Sequence, residues 1–365
     1  MWDIDSHSYL GLQSLPGVSS RREKKPMNLD LFWERIFSEE APDVRAAWEA
    51  LEPEEQESVR ELLREIAADE GRVIEQRRAA GFALEIVGAA PGTDGLPPGA
   101  LAFARELARD AGIRLRRVEG LLVATLKKDG TLVTEFDLEA DRNISGAIRA
   151  RYPGHGVLSE EQAHVFGGEE WVWVIDPIDG TSNFTWGFPT WGVLIGLLHH
   201  GMPVMGVADF PMIGHQYYGI EGAGAWLNDE PIRAAQADSL RPTQLFSACS
   251  RTLKFGNPDL PMKARISGST GFDLAMLARG SVVGVIQQSV HVWDVAAMWP
   301  IVRAAGAQVA SNLSEGLFPL IKDLDYGDIG FAILGACNET LEVAVRERLS
   351  DRFKPIHALQ GHDHG

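Results

Sequence analysis

The spacing of apolar and polar residues changes most clearly near the middle of this chain. The run from Trp171 to Ile175 is apolar and rich in β-branched residues, which is typical of a buried strand. Asp176 and Asp179 follow at once, and a Gly-Thr pair after them favours a turn into a helix. The pattern therefore predicts a strand that delivers two carboxylates to the start of a helix.

Similar patterns predict the neighbouring elements. A helical stretch covers residues 137–152, a short strand covers residues 156–159, and residues 192–218 suggest two strands joined by a turn at 199–203. A further strand is expected at residues 224–227. Downstream, apolar residues recur at helical spacing from Val295 to Val302, and Gly306 suits the position just past a helix end. Pro300 falls inside this predicted helix and should kink it.

The first hundred residues have a different character. Residues 1–27 are expected to form a disordered tail, and residues 28–90 are predicted to be helical, with Pro42 and Pro53 at first-turn positions. The third of these helices carries an apolar stripe that includes Val59, Leu63 and Ile66, and such a stripe must be covered. We expect it to pack against the catalytic domain or against the same segment of a second subunit, rather than to form a separate regulatory module. A Gly- and Pro-containing linker is predicted at 88–99.

Composition indicates a globular protein without nucleic-acid or membrane partners. The chain has 365 residues and a hydrophobic content of 45%, which is ample for a buried core. A formal net charge of −17 argues against nucleic-acid binding, because phosphate backbones require clustered lysine and arginine. The longest apolar run, from Trp191 to Leu198, is too short to span a bilayer.

The cysteines and the chain ends bear on the cell compartment. Cys249 and Cys337 are isolated, so no disulfide framework is expected. The first residues lack the basic region and apolar segment of a secretory signal. We therefore expect a cytoplasmic protein. Residues 351–365 are expected to form a loose solvated tail, although they contain His357, His362 and His364.

Two other acidic groups could complete a site with Asp176 and Asp179, which alone would bind a hard divalent cation weakly and repel one another. Glu160 and Glu161 follow the predicted short strand, and Asp294 precedes the downstream helical pattern. Each acid also has a structural alternative. Asp294 could be a helix cap, and Thr134 and Asp137 could cap the helix that follows them. The glutamates could lie in a solvated loop, and the segment 176–180 could be a type I turn.

Gly180 and Thr181 suggest where an anion would bind. Free backbone N–H groups at a helix start attract a phosphate. A covalent aspartyl phosphatase would carry an additional aspartate at position 177, where this chain has proline. Attack by water on a bound phosphate is therefore the better interpretation.

The order of these motifs resembles the inositol monophosphatase family of metal-dependent phosphatases. The resemblance rests on Glu160-Glu161, on Asp-Pro-Ile-Asp-Gly-Thr-Ser-Asn-Phe at 176–184, and on Trp-Asp-Val-Ala-Ala at 293–297. It extends to Lys127, to residues 134–137 and to residues 265–270, and it covers roughly residues 98–350. It implies an α+β phosphatase domain folded as a layered αβαβα sandwich.

The resemblance also implies roles for the matching positions. The metal ligands would be Glu160, Asp176, the carbonyl of Ile178, Asp179 and Asp294, holding two or three Mg2+ ions. Glu161 would support Glu160. The catalytic group would comprise Glu160, Thr181, Asp137 and Lys127, with Thr181 and Glu160 orienting the attacking water. The substrate contacts would be Asp179, Gly180, Thr181, Gly268, Ser269 and Gln287.

The implied activity is Mg2+-dependent hydrolysis of a small-molecule phosphomonoester similar to inositol monophosphate, carried out by a homodimer. Histidinol phosphate, sugar bisphosphates and nucleotide 3′-phosphates are alternative substrates. Gln287 stands where inositol-hydrolysing members usually carry glutamate, and the Trp-rich segment 185–191 resembles the histidinol-phosphatase branch. A metal-binding scaffold, with the N-terminal helices used for assembly, is the non-enzymatic alternative.

Overall fold

The computed structural model describes residues 29–38, 41–68, 95–118, 125–126, 132–254, 260–314 and 316–349, with isolated positions between 72 and 84 and at 354 and 356. It divides into two compact units, residues 1–106 and 107–365. The predicted tail 1–27 and most of the predicted linker lie outside the described residues. In the predicted C-terminal tail, Ile356 forms a β-bridge with Leu313.

The helices and strands are numbered in chain order. The helices are α1 (Leu29–Ile36), α2 (Ala41–Glu49), α3 (Pro53–Ala68), α4 (Ala100–Arg116), α5 (Glu135–Arg151), α6 (Thr181–Trp186), α7 (Ser250–Lys254), α8 (Thr270–Ala278), α9 (Val292–Ala296), α10 (Met298–Ala304) and α11 (Glu339–Arg348). The strands are β1 (Thr125–Leu126), β2 (Leu132–Val133), β3 (Gly156–Ser159), β4 (Trp171–Asp179), β5 (Gly192–His199), β6 (Met202–Phe210), β7 (His215–Ile220), β8 (Gly224–Leu227), β9 (Glu230–Ile232), β10 (Leu245–Ala248), β11 (Lys263–Arg265), β12 (Gly284–Val290), β13 (Gln308–Ser311) and β14 (Phe331–Ala336). Among the described residues, no helix combines the length and apolar character that crossing a membrane requires.

The apolar stripe on α3 is covered within the N-terminal unit. Val59, Leu63 and Ile66 are buried in one cluster with Trp33 of α1 and Val44 of α2. The expectation that the stripe packs against the catalytic domain or a second subunit is therefore corrected. Short connections let the first three helices fold back and bury one another's apolar faces.

Among the described residues of the larger unit, two sheets form alongside a two-stranded β1-β2 pair. The seven-stranded sheet has the order β3-β4-β5-β6-β7-β8-β9, in which β3 and β4 are parallel and the other pairs antiparallel. Residues 192–218, predicted to hold two strands, also contain the start of a third, because the turn at 211–214 leads directly into β7. The five-stranded sheet has the order β11-β10-β12-β14-β13.

Helices separate and cover the sheets in the expected αβαβα arrangement. Helix α5 packs on β3 and β4. Helices α8, α9 and α10 lie between the sheets, where α9 contacts β4 and β5, and α8 contacts β5, β12 and β14. Helix α11 packs on β12 and β14. The strand that carries Asp176 thus lies directly beside the helix that carries Asp294.

The helix predicted around Asp294 is broken into two. Helices α9 and α10 meet at Ala297, which itself keeps helical φ and ψ angles of −70° and −38°. Pro300, the third residue of α10, lacks the N–H that would bond to the carbonyl of Ala296, the last residue of α9. The helical run is therefore interrupted in the turn before Pro300, where the sequence predicts a kink.

A row of glycines lets these two helices approach the sheet closely. Gly196, Gly206 and Gly219 are paired neighbours on β5, β6 and β7. A Cβ atom at Gly206 would lie 1.8 Å from the carbonyl oxygen of Ala297, and one at Gly219 would lie 2.6 Å from the Cα of Ile301. The backbone of α9 and α10 therefore packs directly on the backbone of the strands, and this contact fixes the distance between α9 and the sheet.

We predict that Gly206→Ala lowers the free energy of unfolding by about 1–3 kcal/mol, because the added methyl overlaps backbone that cannot rotate away. Gly146→Ala is the matched control. Gly146 lies in α5, where a Cβ would meet no heavy atom within 4 Å, and we expect a gain of roughly 0.5–1 kcal/mol. Urea unfolding of both variants measures the difference. Equal stability of Gly206→Ala and the parent protein would contradict the close approach.

Candidate functional site

The two aspartates of β4 act on each other electrostatically, and the strand is irregular between them. In a regular strand, residues three apart lie on opposite faces. The pairing with β5 shifts between Asp176, opposite Leu194, and Asp179, opposite Gly192. This irregularity realigns the second aspartate with the first. The backbone N–H of Ile178 donates to Oδ1 of Asp176 at 3.1 Å, which holds the first carboxylate in place.

Two more carboxylates converge on Asp176. Glu160 follows β3, whose end lies beside that of β4 because the two strands are parallel. Burial raises the pKa of Asp176 well above its ordinary value, and the charges of Glu160, Asp179 and Asp294 raise it further. The four acids therefore act on one another electrostatically, as a shared site requires.

Asp179 is held by the start of α8. Its carboxylate accepts hydrogen bonds from the hydroxyl of Ser269, from the N–H of Thr270 at 3.1 Å and from the N–H of Gly271 at 2.9 Å. Burial raises the pKa of Asp179 to about 7 against the lowering effect of the Ser269 bond, and the charge of Asp294 adds to the rise. The donors fix the orientation of this carboxylate without fully offsetting the cost of burying its charge.

Asp294 occupies the third position of α9. Its Oδ2 accepts a hydrogen bond from the backbone N–H of His291 at 2.8 Å, as in a capping box. The alternative of a helix cap is thus partly right. The same charge also raises the pKa values of Asp176 and Asp179, so this carboxylate serves the helix end and faces the strand aspartates.

Thr181 and Asp137 form a second arm of the site. The Thr181 hydroxyl lies 3.3 Å from Oδ1 of Asp137 and 3.2 Å from the carbonyl oxygen of Ile178, and it can donate to either. The other oxygen of Asp137 accepts from the N–H of Thr134 at 2.7 Å and from its hydroxyl at 2.5 Å. The predicted cap of the helix by Thr134 and Asp137 is confirmed, and it fixes the acid beside Thr181.

Asp141 was not predicted as a site residue from the sequence, and it is fully buried one helical turn after Asp137. Its Oδ1 accepts from Ser145 at 2.8 Å and from the side chain of Gln162 at 2.7 Å, and its Oδ2 accepts from the N–H of Glu161 at 3.1 Å. Asp141 therefore orients the loop that presents Glu160. The sequence does show Asp141 four residues after Asp137 on the same helix. It does not show that Asp141 bonds to Glu161, which is twenty residues away.

Side chains expected to contact substrate are largely engaged within the protein. Ser269 is 4% exposed, and its hydroxyl accepts from the N–H of Phe272 at 3.0 Å as well as donating to Asp179. Gln287 is 3% exposed and donates its amide to Asp273 at 2.5 Å. Gly268 packs against Asn183, with no room for a Cβ. Their substrate contacts stay predictions, and Lys127 lies outside the described residues.

The donor set fits a hard divalent cation. The charged neighbours that raise the pKa of Asp176 are all carboxylates, so the site concentrates negative charge in a buried place. Carboxylate and carbonyl oxygens are the ligands that Mg2+ and Ca2+ prefer, and a bound cation would remove the repulsion among them. Asp176, Asp179, Asp294, Glu160 and the carbonyl of Ile178 are the groups that could hold it.

Comparison with known proteins agrees with this geometry. The sequence profile of the inositol monophosphatase family matches residues 100–333. The chain belongs to the inositol monophosphatase family. It is accordingly a phosphatase, a hydrolase of phosphoric monoesters. The layered fold is likewise that of the family's solved structures.

Individual relatives carry different names within the family. A probable inositol 1-monophosphatase, ImpA, of Mycobacterium tuberculosis is 38% identical over 213 residues, which are 54% of this chain and 77% of that protein. A histidinol-phosphatase of Chlorobaculum parvum is 34% identical over 187 residues, or 49% and 72% of the two chains. The solved structure of a Thermotoga maritima IMPase superposes with a TM-score of 0.59 at 27% identity, covering 69% of this chain and 96% of that one.

The raised pKa values predict that the metal-free site destabilises the fold at high pH. A carboxyl whose pKa is higher in the folded state binds its proton more tightly there, so stability falls as pH rises from the unfolded pKa to the folded one. For Asp179 this window runs from about 4 to about 7. In chelator at pH 8, Asp176→Asn should therefore be more stable than the parent protein, because it removes one of the repelling charges.

Chemical unfolding of both proteins from pH 5 to pH 8 measures this effect. The advantage of Asp176→Asn should shrink toward pH 5, where the parent protein can protonate its cluster. The exposed Asp238→Asn is the matched control and should show no such pH-dependent gain. A variant at position 176 that is less stable than its parent at every pH would contradict the repulsion.

Proposed function

We propose that this phosphatase is a Mg2+-dependent phosphomonoesterase that hydrolyses a small phosphorylated alcohol of the inositol monophosphate type by attack of water. The observation that carries the proposal is the convergence of Glu160, Asp176, Asp179 and Asp294, which come from two strand ends and a helix start. Such a concentration of buried negative charge costs stability and is useful when a cation is bound.

The groups that would hold two or three Mg2+ ions are Glu160, Asp176, the carbonyl of Ile178, Asp179 and Asp294. When bound, the ions supply water activation and neutralise charge on the phosphoryl group. Rigid ligands support this role. Asp179 is held by three donors of the Ser269–Gly271 segment, and Asp294 is held by its own helix end.

Thr181 is placed to orient the attacking water. The Thr181 hydroxyl lies within hydrogen-bond distance of Asp137 and can donate to that carboxylate. The lone pairs of the hydroxyl oxygen are then free to accept a hydrogen bond from the water. Glu160 would hold the water from the other side, and Lys127 would complete the group. The amides of Gly180 and Thr181 would hold the phosphate in line, so that catalysis rests on positioning and charge stabilisation.

A metal-binding scaffold without turnover is the competing function. A scaffold derived from this fold is expected to have lost a ligand or the water-orienting threonine, and all of these positions are kept here. The packing of α1, α2 and α3 into their own cluster leaves less apolar surface for assembly than the sequence suggested. We propose a cytoplasmic enzyme and retain the homodimer as a prediction.

Removing single groups separates metal binding from water orientation. We expect Asp176→Asn or Asp294→Asn to lower turnover by several orders of magnitude, because each removes a ligand charge. Thr181→Ala should lower kcat by roughly a hundredfold with little change in Mg2+ affinity, because only the position of the water changes. Thr181→Ser keeps the hydroxyl and is the matched control, with activity near that of the parent protein.

Phosphate release from a generic monoester, measured against Mg2+ concentration and with chelator, tests these expectations. Calorimetric titration with Mg2+ gives the affinity independently of turnover. Mg2+-dependent activity of Asp176→Asn close to that of the parent protein would overturn the assignment, as would full activity in chelator.

Gln287 bears on substrate choice through its bond to Asp273. Burial raises the pKa of Asp273 to about 6, against the lowering effects of the bonds from Ser247, Ser267 and Gln287. One N–H of the Gln287 amide is committed to Asp273, so its carbonyl oxygen and one remaining N–H are left for a substrate hydroxyl. A neutral acceptor binds a hydroxyl less strongly than a carboxylate does, which supports limited selectivity among alcohols.

We predict that inositol 1-phosphate leads a panel with histidinol phosphate, fructose 1,6-bisphosphate and adenosine 3′,5′-bisphosphate by no more than about tenfold in kcat/KM. Gln287→Glu alone would face the Asp273 carboxylate. Combining it with Asp273→Asn lets the new asparagine amide donate to the new glutamate carboxylate, so that the hydrogen bond between positions 273 and 287 is kept. The double variant should raise kcat/KM for inositol 1-phosphate relative to the rest, and an unchanged ratio would show that position 287 does not select the substrate.

A further inference from the structure

The seven-stranded sheet carries a second cluster of possible metal ligands at its other end. Glu170 precedes β4, His199 ends β5 and His200 begins the turn into β6. Glu170 and Asp176 are separated by six residues of extended chain, on the order of 20 Å. The cluster is therefore distinct from the carboxylates of the phosphatase site.

Its three side chains are close enough to share one ion. Nε2 of His199 lies 3.4 Å from Oε1 of Glu170, and one ligand atom from each of the three residues lies within 4.8 Å of the others. Donors around a tetrahedral Zn2+, with bonds of about 2.0–2.1 Å, are separated by roughly 3.3 Å. The His199–Glu170 pair already has this spacing, and rotation of the exposed His200 side chain would close the rest.

The backbone holds the cluster in place. His200 and Gly201 have φ angles of 48° and 77°, the pair of left-handed conformations of a type I′ hairpin turn. The N–H of His200 donates to the carbonyl oxygen of Glu170 at 2.7 Å, and the carbonyl of Gly201 accepts from Leu320 at 3.0 Å. The turn is thus fixed both to the start of β4 and to a neighbouring loop.

The turn does not itself favour histidine at position 200. Asparagine is the preferred residue before glycine in such a turn, and this chain has histidine. The ring of His199 stacks on Trp171 at a centroid distance of 4.2 Å and lies 4.3 Å from the ring of His200. Two adjacent imidazoles and a carboxylate are thereby presented together at the surface.

We propose that Glu170, His199 and His200 form a surface site for a divalent transition-metal ion of the Zn2+ class. Two imidazoles and one carboxylate match this borderline-soft class, whereas the all-oxygen phosphatase site matches Mg2+. Three protein ligands leave a fourth position for water. An ion bound there ties the β5–β6 turn to the start of β4 and stabilises the folded chain in proportion to its occupancy.

Calorimetric titration of the full chain with Zn2+ tests the proposal. The titration is done in excess Mg2+, which competes for the carboxylate site. The protein titrated carries glutamine in place of His357, His362 and His364, and it is the parent of the variants below. We expect one Zn2+ equivalent that His200→Asn and His199→Gln weaken by about tenfold or more. Asparagine suits the left-handed turn, so loss of binding in His200→Asn cannot be attributed to misfolding.

His215→Gln is the matched control, because His215 is a partly exposed histidine at the start of another strand of the same sheet. It should bind Zn2+ as the parent variant does. Zn2+ should also raise the unfolding temperature of the parent variant and of His215→Gln, but not that of His200→Asn. Unchanged Zn2+ affinity and stoichiometry in His200→Asn would overturn the site, and so would a parent variant that binds no Zn2+.

Discussion

Mutual repulsion among buried carboxylates is the constraint on which the architecture of the candidate site depends. Asp176 and Asp179 are buried, and the charges of Glu160 and Asp294 act on them. A chain free to relax would separate these groups or leave them in water. Here the hydrogen bonds to Asp179 and the capping bond to Asp294 hold the carboxylates close to one another. A bound cation would reduce the repulsion between them.

The fold supplies the stiffness that this arrangement needs. Parallel pairing brings the ends of β3 and β4 to one edge, and the glycine row on β5, β6 and β7 lets α9 and α10 approach backbone to backbone. Asp294 is thus positioned by contacts several residues away from it, on Ala297 and Ile301. The long interval between the β4 aspartates and Asp294 in the sequence is bridged by close packing between the layers.

A hydrogen-bond network around the buried Asp273 lies beside the candidate site. Asp273 is a further buried acid whose bonds from Ser247 and Gln287 tie β10 and β12 to α8. The start of helix α8 also supplies the donors to Asp179, so Gln287 is linked through one helix to the carboxylates of the candidate metal site. A change at position 287 therefore alters the balance of buried charge around Asp273.

Short-range patterns in the sequence determined much of this protein: the strand ending in Asp176 and Asp179, the Thr134 cap and the family to which the motifs belong. These follow from neighbours along the chain, where periodicity and capping chemistry act. Tertiary structure alone decided that Asp141 orients the Glu160 loop, that Ser269 holds Asp179, that α3 packs on α1 and α2, and that Glu170 meets His199 and His200. Each of these depends on sheet register or packing between distant segments, which local periodicity does not encode.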